Sequence, residues 1–356
     1  MTTTTGEPAG RFRFRGRAVI ASAFAVAVFA FPQAAQAHGR SAVIALDYEA
    51  RPAQSGEIAP GVEARVVDGD RSLDLRVAPR WTVVVQGYGG EPFLRFSSRG
   101  VEANLASPTA VADRLVPEQA LGNVAGAPRW RLVTDRHRLT WHDHRLGPRA
   151  GVRAGTGVVG AWTIPLLVDG RPFAIRGALL RSARPVFWPW LAIFAVALAA
   201  AAAVAWRGAS RTRHASVYLA TATSSLVLLA VSAGFAAGSA RSGFTRWADL
   251  ALPAGIALAA AAVFVLRPRQ RYVVCALVAG FTLAAALEDA GVFWHGFVVS
   301  AQPASIVRAG VSIALGASAF AIVVVLADLV RAEPDRRRRR APRGQPRLAV
   351  PKGKPR

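Results

Sequence analysis

The chain contains almost no sulfur: its one cysteine is Cys275 and its one methionine is Met1. A single cysteine cannot form an intrachain disulfide, a multi-thiolate metal centre or a CxxC redox pair. Soft thiolate and thioether ligands are also what a Cu(I) site requires, and none lies between Met1 and Cys275. Any metal bound in that part of the chain must therefore accept nitrogen and oxygen ligands.

Familiar catalytic motifs are absent as well. The chain has no GxSxG, HExxH, P-loop or haem-attachment sequence, and no spacing of Ser, His and Asp singles out a triad. We therefore expect a protein that is not an enzyme.

Acidic residues are scarce, with 21 Asp and Glu against 44 Lys and Arg. Part of the excess is concentrated in residues 331–356, which hold 11 basic and 2 acidic residues. A short basic tail of this kind indicates membrane orientation rather than nucleic-acid binding. We expect residues 331–356 to be a disordered cytoplasmic tail that either contacts anionic lipids or only orients the chain.

Long apolar runs dominate the second half of the sequence. A helix needs ~20 apolar residues to cross a ~30 Å hydrocarbon core. Five runs come near that length, at residues 188–206, 216–238, 250–266, 272–293 and 305–327. The sequence thus predicts a multi-pass protein of the plasma membrane, with five helices in the lipid bilayer over residues 186–330.

Arginines mark alternate ends of these runs. They follow the first, third and fifth runs, at Arg207, Arg211 and Arg213, then Arg267, Arg269 and Arg271, then Arg331 and 336–340. Cytoplasmic loops carry such an excess of positive charge. The pattern predicts an extracytoplasmic segment before residue 186 and a cytoplasmic C-terminus.

Residues 1–37 have the features of an export signal. Four arginines precede an apolar stretch over 18–31, and Ala35-Gln36-Ala37 matches a small-x-small cleavage site. Cleavage there would make His38 the mature N-terminus. The alternative is an uncleaved anchor helix, and both interpretations export the residues that follow.

Residues 38–185 have the pattern of an all-β, sandwich-like domain. Short strands alternate with turn sequences every eight to twelve residues, including Asp68-Gly69-Asp70, Ser98-Arg99-Gly100 and Asp169-Gly170. We expect a hairpin around each of these turns, a further pair formed by 130–133 and 139–142, and a long loop over 106–128. The expected fold class is an α+β membrane protein, with this exported domain followed by the five-helix bundle.

The strongest local motif in the β region is Trp141-His142-Asp143-His144-Arg145. If the strand continues through it, His142 and His144 share one face and can chelate one divalent cation. His38 could complete the site with its imidazole and α-amine, a nitrogen set that suits Cu(II). The alternative is structural, with His142 or Arg145 paired to Asp143, Asp135 or Glu91.

A second polar group is predicted at the outer end of the bundle. Glu288 and His295 are seven residues apart, two turns along one helical face, and Asp289 and Asp249 fall on the same side of the membrane. Ionisable residues inside spans are costly and often functional. These four residues form either an outward-facing polar mouth or a hydrogen-bonded helix end.

The β region resembles an uncharacterised family of integral membrane proteins from high-GC bacteria, which place an exported β-domain before several spans. The residues that carry the likeness are Gly87-Tyr88-Gly89-Gly90-Glu91-Pro92-Phe93-Leu94-Arg95-Phe96, Asn104, Ser107-Pro108, Trp141-His142-Asp143-His144-Arg145, Trp162 and Asp169-Gly170. The resemblance implies architecture and no chemistry. The domain also looks like exported copper-resistance domains that begin with His.

Three functions fit these features. The first is extracytoplasmic binding of a divalent metal, copper preferred, by His142, His144 and His38. The second is a non-catalytic membrane scaffold whose β-domain docks a cell-envelope protein. The third is a small-solute transporter that uses the outer polar mouth.

Overall fold

The structure, a computed structural model, describes residues 44–54, 56–118, 127–148, 155–239, 244–266 and 268–340. The predicted signal segment, His38 and the end of the tail lie outside these ranges. Within them, a mostly strand-forming N-terminal region with antiparallel sheets precedes a helical C-terminal region.

The first region contains twelve strands and one short helix among the described residues. In chain order they are β1 (Ala45–Leu46), β2 (Tyr48–Pro52), β3 (Gly56–Ala59), β4 (Val62–Val67), β5 (Ser72–Val77), β6 (Val83–Gln86), β7 (Pro92–Ser97), β8 (Gly100–Asn104), α1 (Pro108–Ala112), β9 (Trp130–Thr134), β10 (Arg138–His142), β11 (Gly157–Val168) and β12 (Arg171–Arg181). One sheet has the order β2-β12-β11-β6-β7-β8-β9 and a second has the order β10-β5-β4-β3.

The three predicted turn hairpins are confirmed. Strands β4 and β5, β7 and β8, and β11 and β12 pair antiparallel across the turns that the sequence marks. At the first turn Asp68 and Gly69 both have positive φ, 56° and 76°, and at the third Asp169 and Gly170 do as well. Asp and Gly adopt this conformation most readily, which explains why these sequences turn.

Two expectations about this region are wrong. The segments at 130–133 and 139–142 do not pair with each other, because β9 pairs with β8 in the larger sheet and β10 with β5 in the smaller. The stretch 106–128 is not all loop either: Ser107 accepts a hydrogen bond from the amide of Ala110 and caps α1. Serine at that position with proline just after it favours a helix start.

Both sheets contribute to one apolar core. Alternate side chains of β5, such as Leu73, Leu75 and Val77, are fully buried, and so are Leu94 and Phe96 on β7. Period-two alternation of this kind turns one face of each strand inward. The two sheets are therefore held together by hydrophobic burial.

The second region contains five α-helices and a short strand among the described residues. They are α2 (Trp188–Arg207), α3 (Ser210–Gly238), α4 (Phe244–Ala262, followed by a 3-10 turn at Val263–Val265), α5 (Pro268–Glu288, followed by a 3-10 turn at Asp289–Phe293), β13 (Phe297–Val298) and α6 (Ala304–Arg340). Helix α6 continues through Arg340, whereas disorder was expected from Arg331.

Four described helices are long and apolar enough to cross a membrane. They cover Trp188–Arg207, Ser210–Gly238, Gln270–Phe293 and Ala304–Arg331. The apolar part of α4, Asp249–Val265, is shorter, and Pro253 lies inside that helix. These lengths and compositions make this a membrane-spanning protein with four candidate spans.

The β region and the helices are joined by a separate two-stranded sheet. Strand β1 pairs antiparallel with β13, Ala45 opposite Val298. Ala45 also packs into an apolar cluster of the bundle with Val231, Phe235 and Val307. The first strand of the β region thus belongs to the core at one end of the bundle.

The helix ends at the opposite side are tied together by Asp328 of α6. Its carboxylate forms an ion pair with the guanidinium of Arg213, with Nε and Oδ1 2.6 Å apart, and accepts a hydrogen bond from the hydroxyl of Tyr272 at 2.7 Å. These contacts join the start of α3 and the start of α5 to α6 near the end of its apolar part, Ala304–Arg331. They lie at the end of the bundle that faces away from the strands.

Several arginines of the bundle donate to carbonyls at neighbouring helix ends. Arg213 donates to the carbonyl of Gly208, Arg331 to that of Ala205, and Arg271 to that of Leu266. Carbonyls at a helix C-terminus have no intrahelical partner and carry partial negative charge. The arginines that predicted orientation therefore also cap the helices.

Candidate functional site

The turn after β10 is built around the buried carboxylate of Asp143, which is fully enclosed. It accepts from Arg145 through Nε at 2.9 Å and Nη2 at 2.7 Å, and from the indole Nε1 of Trp141 at 3.2 Å. The Arg145 backbone amide donates to the same carboxylate at 3.0 Å. Of the alternatives weighed from the sequence, Arg145 pairs with Asp143.

The Arg145 guanidinium connects this turn to the end of β6. Its Nη1 donates to the carbonyl of Gln86 at 2.8 Å, and the guanidinium carbon lies 5.1 Å from the ring centroid of Tyr88. A buried ion pair is stabilising only when its remaining donors are satisfied. Here the guanidinium N–H groups donate to Asp143 and to the Gln86 carbonyl, and the guanidinium carbon lies near the ring of Tyr88.

Asp143 and Arg145 leave the two histidines of the motif on the outside. Strand β10 ends at His142, so the condition under which the two histidines would share one strand face is not met. The rings nevertheless meet, with centroids 4.6 Å apart at 84°. Burial lowers the pKa of His142, and the charges of His144 and Arg71 lower it further. A neutral imidazole, the form that binds metals, is thereby favoured.

Asp113 lies behind His144, just after α1. Its side chain is fully buried, and its Oδ1 is 3.8 Å from His144 Nε2. Tyr88 donates its hydroxyl to the same Oδ1 at 2.6 Å and accepts from the His144 amide at 3.0 Å. Oδ2 has no hydrogen-bond partner among the described residues.

Burial raises the pKa of Asp113 to about 7, opposed in part by the hydrogen bond from Tyr88. Burial and the Asp113 contact raise the pKa of Tyr88, which stays protonated. Desolvation of this kind penalises the charged form of a carboxyl group. Near neutral pH, Asp113 can therefore carry a proton or act as an anionic ligand.

A second carboxylate, Glu91, fastens the 87–91 turn to the start of α1. It accepts from the hydroxyls of Ser107 at 2.8 Å and Thr109 at 2.7 Å, and from the amide of Gly89 at 3.0 Å. Burial raises the pKa of Glu91, but the bonds from Thr109 and Ser107 outweigh it, and the net shift is downward.

Asn104 closes the same end of the β region. Its side-chain amide donates to the carbonyl of Pro92 at 2.8 Å, and its carbonyl accepts from the amides of Ala106 and Arg129. One corner of the fold is thus surrounded by residues from separate parts of the sequence: 87–91, 104, 107 and 141–145.

The donor set at this corner consists of two imidazoles and one nearby carboxylate. Among the described residues, no group of three or more His, Cys, Asp and Glu side chains is arranged to hold a metal ion. His38, the predicted third ligand, lies outside those residues. Asp113 and Tyr88 were not predicted, since neither belongs to a spaced pattern with the histidines.

The helical face on which the outer polar mouth was predicted is not formed. Helix α5 ends at Glu288 and the chain continues as a 3-10 turn, so Glu288 and His295 do not share a helical face. His295 Nδ1 lies 3.1 Å from Asp47 Oδ1 of the β region, Glu288 is exposed and Asp289 is buried. Asp249 is half-buried near the start of the apolar part of α4.

Comparison with known proteins does not assign this site. No protein-family model matches the chain, and neither the curated proteins nor the solved structures give a match. Function is therefore inferred from the geometry of the corner itself.

Proposed function

We propose that the β region binds a divalent transition metal, with Cu(II) preferred, at the face formed by His142 and His144. The observation that carries this is the contact of the two rings, with centroids 4.6 Å apart. Imidazole suits Cu(II) and Zn(II), and Cu(II) is the strongest binder of the divalent series.

The turn beneath the histidines supports the proposal because it is rigid. Asp143 receives hydrogen bonds from Trp141 and Arg145, and its own amide donates to the carbonyl of Arg71 at 2.9 Å. A binding pair whose backbone is fixed loses little conformational entropy when a ligand binds. The buried Asp143 thus positions the exposed histidines without touching the metal.

Two residues are available as a third ligand. Asp113 is the first, because its Oδ1 lies 3.8 Å from His144 Nε2. His38 precedes Ile44 by a linker that reaches at most ~20 Å when extended. His38 lies outside the described residues and is a candidate from the sequence alone.

Titration of the full-length protein in detergent with Cu(II) tests this function. We expect one equivalent to bind and the His142→Ala/His144→Ala variant to lose at least ten-fold in affinity. His137→Ala is the matched control, since the imidazole of this half-buried histidine contacts the Ser98 carbonyl and is not part of the corner. Equal affinity in both variants would remove His142 and His144 as ligands.

Electron paramagnetic resonance of bound Cu(II) then separates the third ligands. A change of hyperfine splitting in Asp113→Asn assigns the carboxylate, whereas a change in His38→Ala assigns the N-terminal residue. A wild-type protein without any Cu(II) signal would contradict metal binding and favour the scaffold function.

The membrane arrangement that we propose is an extracytoplasmic, sandwich-like β-domain on five crossing helices, with a cytoplasmic C-terminus. Ala301 donates to the carbonyl of Gly234, which brings the end of α3 beside β13 and the β region. The start of α5 lies at the opposite end, near Asp328. Because α4 connects these two ends, its shorter apolar part also has to cross.

Reporter fusions test this orientation. A periplasmic reporter inserted in the β11–β12 turn at Asp169 should be active, and the same reporter after residue 340 should be inactive. The resemblance to the high-GC bacterial family implies the same arrangement. The reverse pattern of reporter activity would show that the protein has the opposite orientation in the membrane.

A further inference from the structure

A groove of about 380 Å³ lies along the junction between the β region and the bundle. Strand β2 contributes Glu49 and Arg51 to its rim, and strand β4 contributes Arg65. Phe297 and Val299 supply apolar surface from the segment that contains β13. The groove therefore combines an apolar side with a charged rim, as sites for small amphiphilic molecules do.

The position of the groove defines its depth in the membrane. Gly238, the last residue of α3, is part of the lining. A candidate span ends there, and the polar headgroup layer begins just outside the ~30 Å hydrocarbon core. The groove thus opens at the level of the phospholipid headgroups.

The lining carries charges of both signs, positive from Arg51 and Arg65 and negative from Glu49 and Asp68, which suits a headgroup that carries both signs. Arg65 is exposed, and its side chain makes no hydrogen bond or ion pair with the residues that the structure describes. Arg51 bonds to Glu49 at 3.0 Å while its side chain stays 61% exposed. Arginine binds phosphate oxygens through paired N–H donors, and a carboxylate accepts from an ammonium group.

We propose that this groove binds the headgroup of an ethanolamine phospholipid from the leaflet on the β-region side. The phosphate lies against Arg65 and Arg51, the ammonium group against Glu49, and the first acyl carbons against Phe297 and Val299. The site is separate from the histidine face and does not depend on metal binding.

Native mass spectrometry of the full chain tests this assignment. The protein is purified in detergent, mixed with equal amounts of phosphatidylethanolamine, phosphatidylglycerol and phosphatidylcholine, and the retained lipids are counted. We expect one phosphatidylethanolamine per chain. The Arg51→Gln/Arg65→Gln variant should retain it at least five-fold less, and Arg65→Lys, which keeps the charge but not the paired donors, should retain an intermediate amount.

Arg99→Gln is the matched control, because Arg99 is an exposed arginine of the β7–β8 turn and does not line the groove. Far-UV circular dichroism establishes that each variant is folded, and Arg65→Gln alone is measured if the double variant is not. Retention that is the same in all variants would overturn the proposal. So would equal retention of phosphatidylglycerol, or full displacement of the lipid by millimolar inorganic phosphate.

Discussion

Asp143 and Arg145, two residues apart, form an ion pair of 2.7 Å in which neither side chain is more than 6% exposed. Because both charges are enclosed, the pair fixes the turn on which His142 and His144 lie. The most conspicuous part of the motif by sequence, its two histidines, is therefore supported by the residues between and after them.

Removing one partner of this pair should be costly. We expect Asp143→Asn to lower the free energy of unfolding by about 3–5 kcal/mol, because the Arg145 charge stays buried without its counter-ion. The control Glu49→Gln removes an exposed pair and should cost at most about 1 kcal/mol. Urea unfolding in detergent, followed by tryptophan fluorescence, measures both. A loss below that of the control would show that the pair is not what holds the turn.

Glu91 should make stability depend on acid. Its pKa is lowered on folding, so its contribution is present above the unfolded pKa near 4.5 and is lost as pH falls through the folded value. We expect Glu91→Gln to be less stable than the wild type by about 1–3 kcal/mol at pH 7, with the difference disappearing in acid. Urea midpoints between pH 3 and 8 measure this.

The exposed Glu118 supplies the comparison for Glu91. Glu118→Gln should follow the wild-type pH curve throughout. A pH-independent difference between Glu91→Gln and the wild type would attribute the effect to packing rather than to the carboxylate.

Gly69 tests the junction between the strands and the helices. Its φ is 76°, and an added Cβ would lie 2.4 Å from Leu46 Cδ1 and 3.3 Å from Phe297 Cε1. Gly170 has φ of 78° and open space around that position. Both Gly→Ala variants carry the left-handed backbone cost of about 1–2 kcal/mol. Only Gly69→Ala should also loosen β1–β13, seen as faster deuterium uptake at residues 45–46 and 297–298.

Arg308 should hold the link between α5 and α6. Its guanidinium donates to the carbonyls of Val292 at 2.8 Å and of His295 and Gly296 at 3.0 Å. Lysine keeps the charge but cannot reproduce the planar fork of donors. We expect Arg308→Lys to cost about 2 kcal/mol and to raise deuterium uptake over residues 289–303. Unchanged uptake there would contradict the bracing role.

Local patterns were sufficient wherever the partner lies nearby in the chain. Asp68-Gly69 and Asp169-Gly170 predicted their hairpins because the turn itself requires positive φ. The pairing of β9 with β8 and of β10 with β5 was missed because 130–142 reads as a hairpin locally, while its partners come from more distant strands. Pairing at such distance depends on tertiary packing rather than on a turn sequence.

The candidate site could likewise be predicted only where its residues are close together in the chain. His142 and His144 were predicted to share a face only if the strand continues; the strand ends at His142, and the turn after it brings the two rings together instead. No sequence pattern marks Asp113 as a site residue, because its role depends on its burial behind His144 and on the hydrogen bond from the hydroxyl of Tyr88. In the bundle, the helical continuation from Glu288 to His295 failed because the chain tightens into a 3-10 turn there.

The pairing of Ala45 with Val298 has a consequence for biogenesis. The first strand acquires its neighbour only after the ribosome has synthesised nearly all of the hydrophobic half of the protein. Until then its backbone amides and carbonyls have no strand opposite them. Completion of this strand pair therefore has to wait until residues 297–298 and the helices around them have been synthesised.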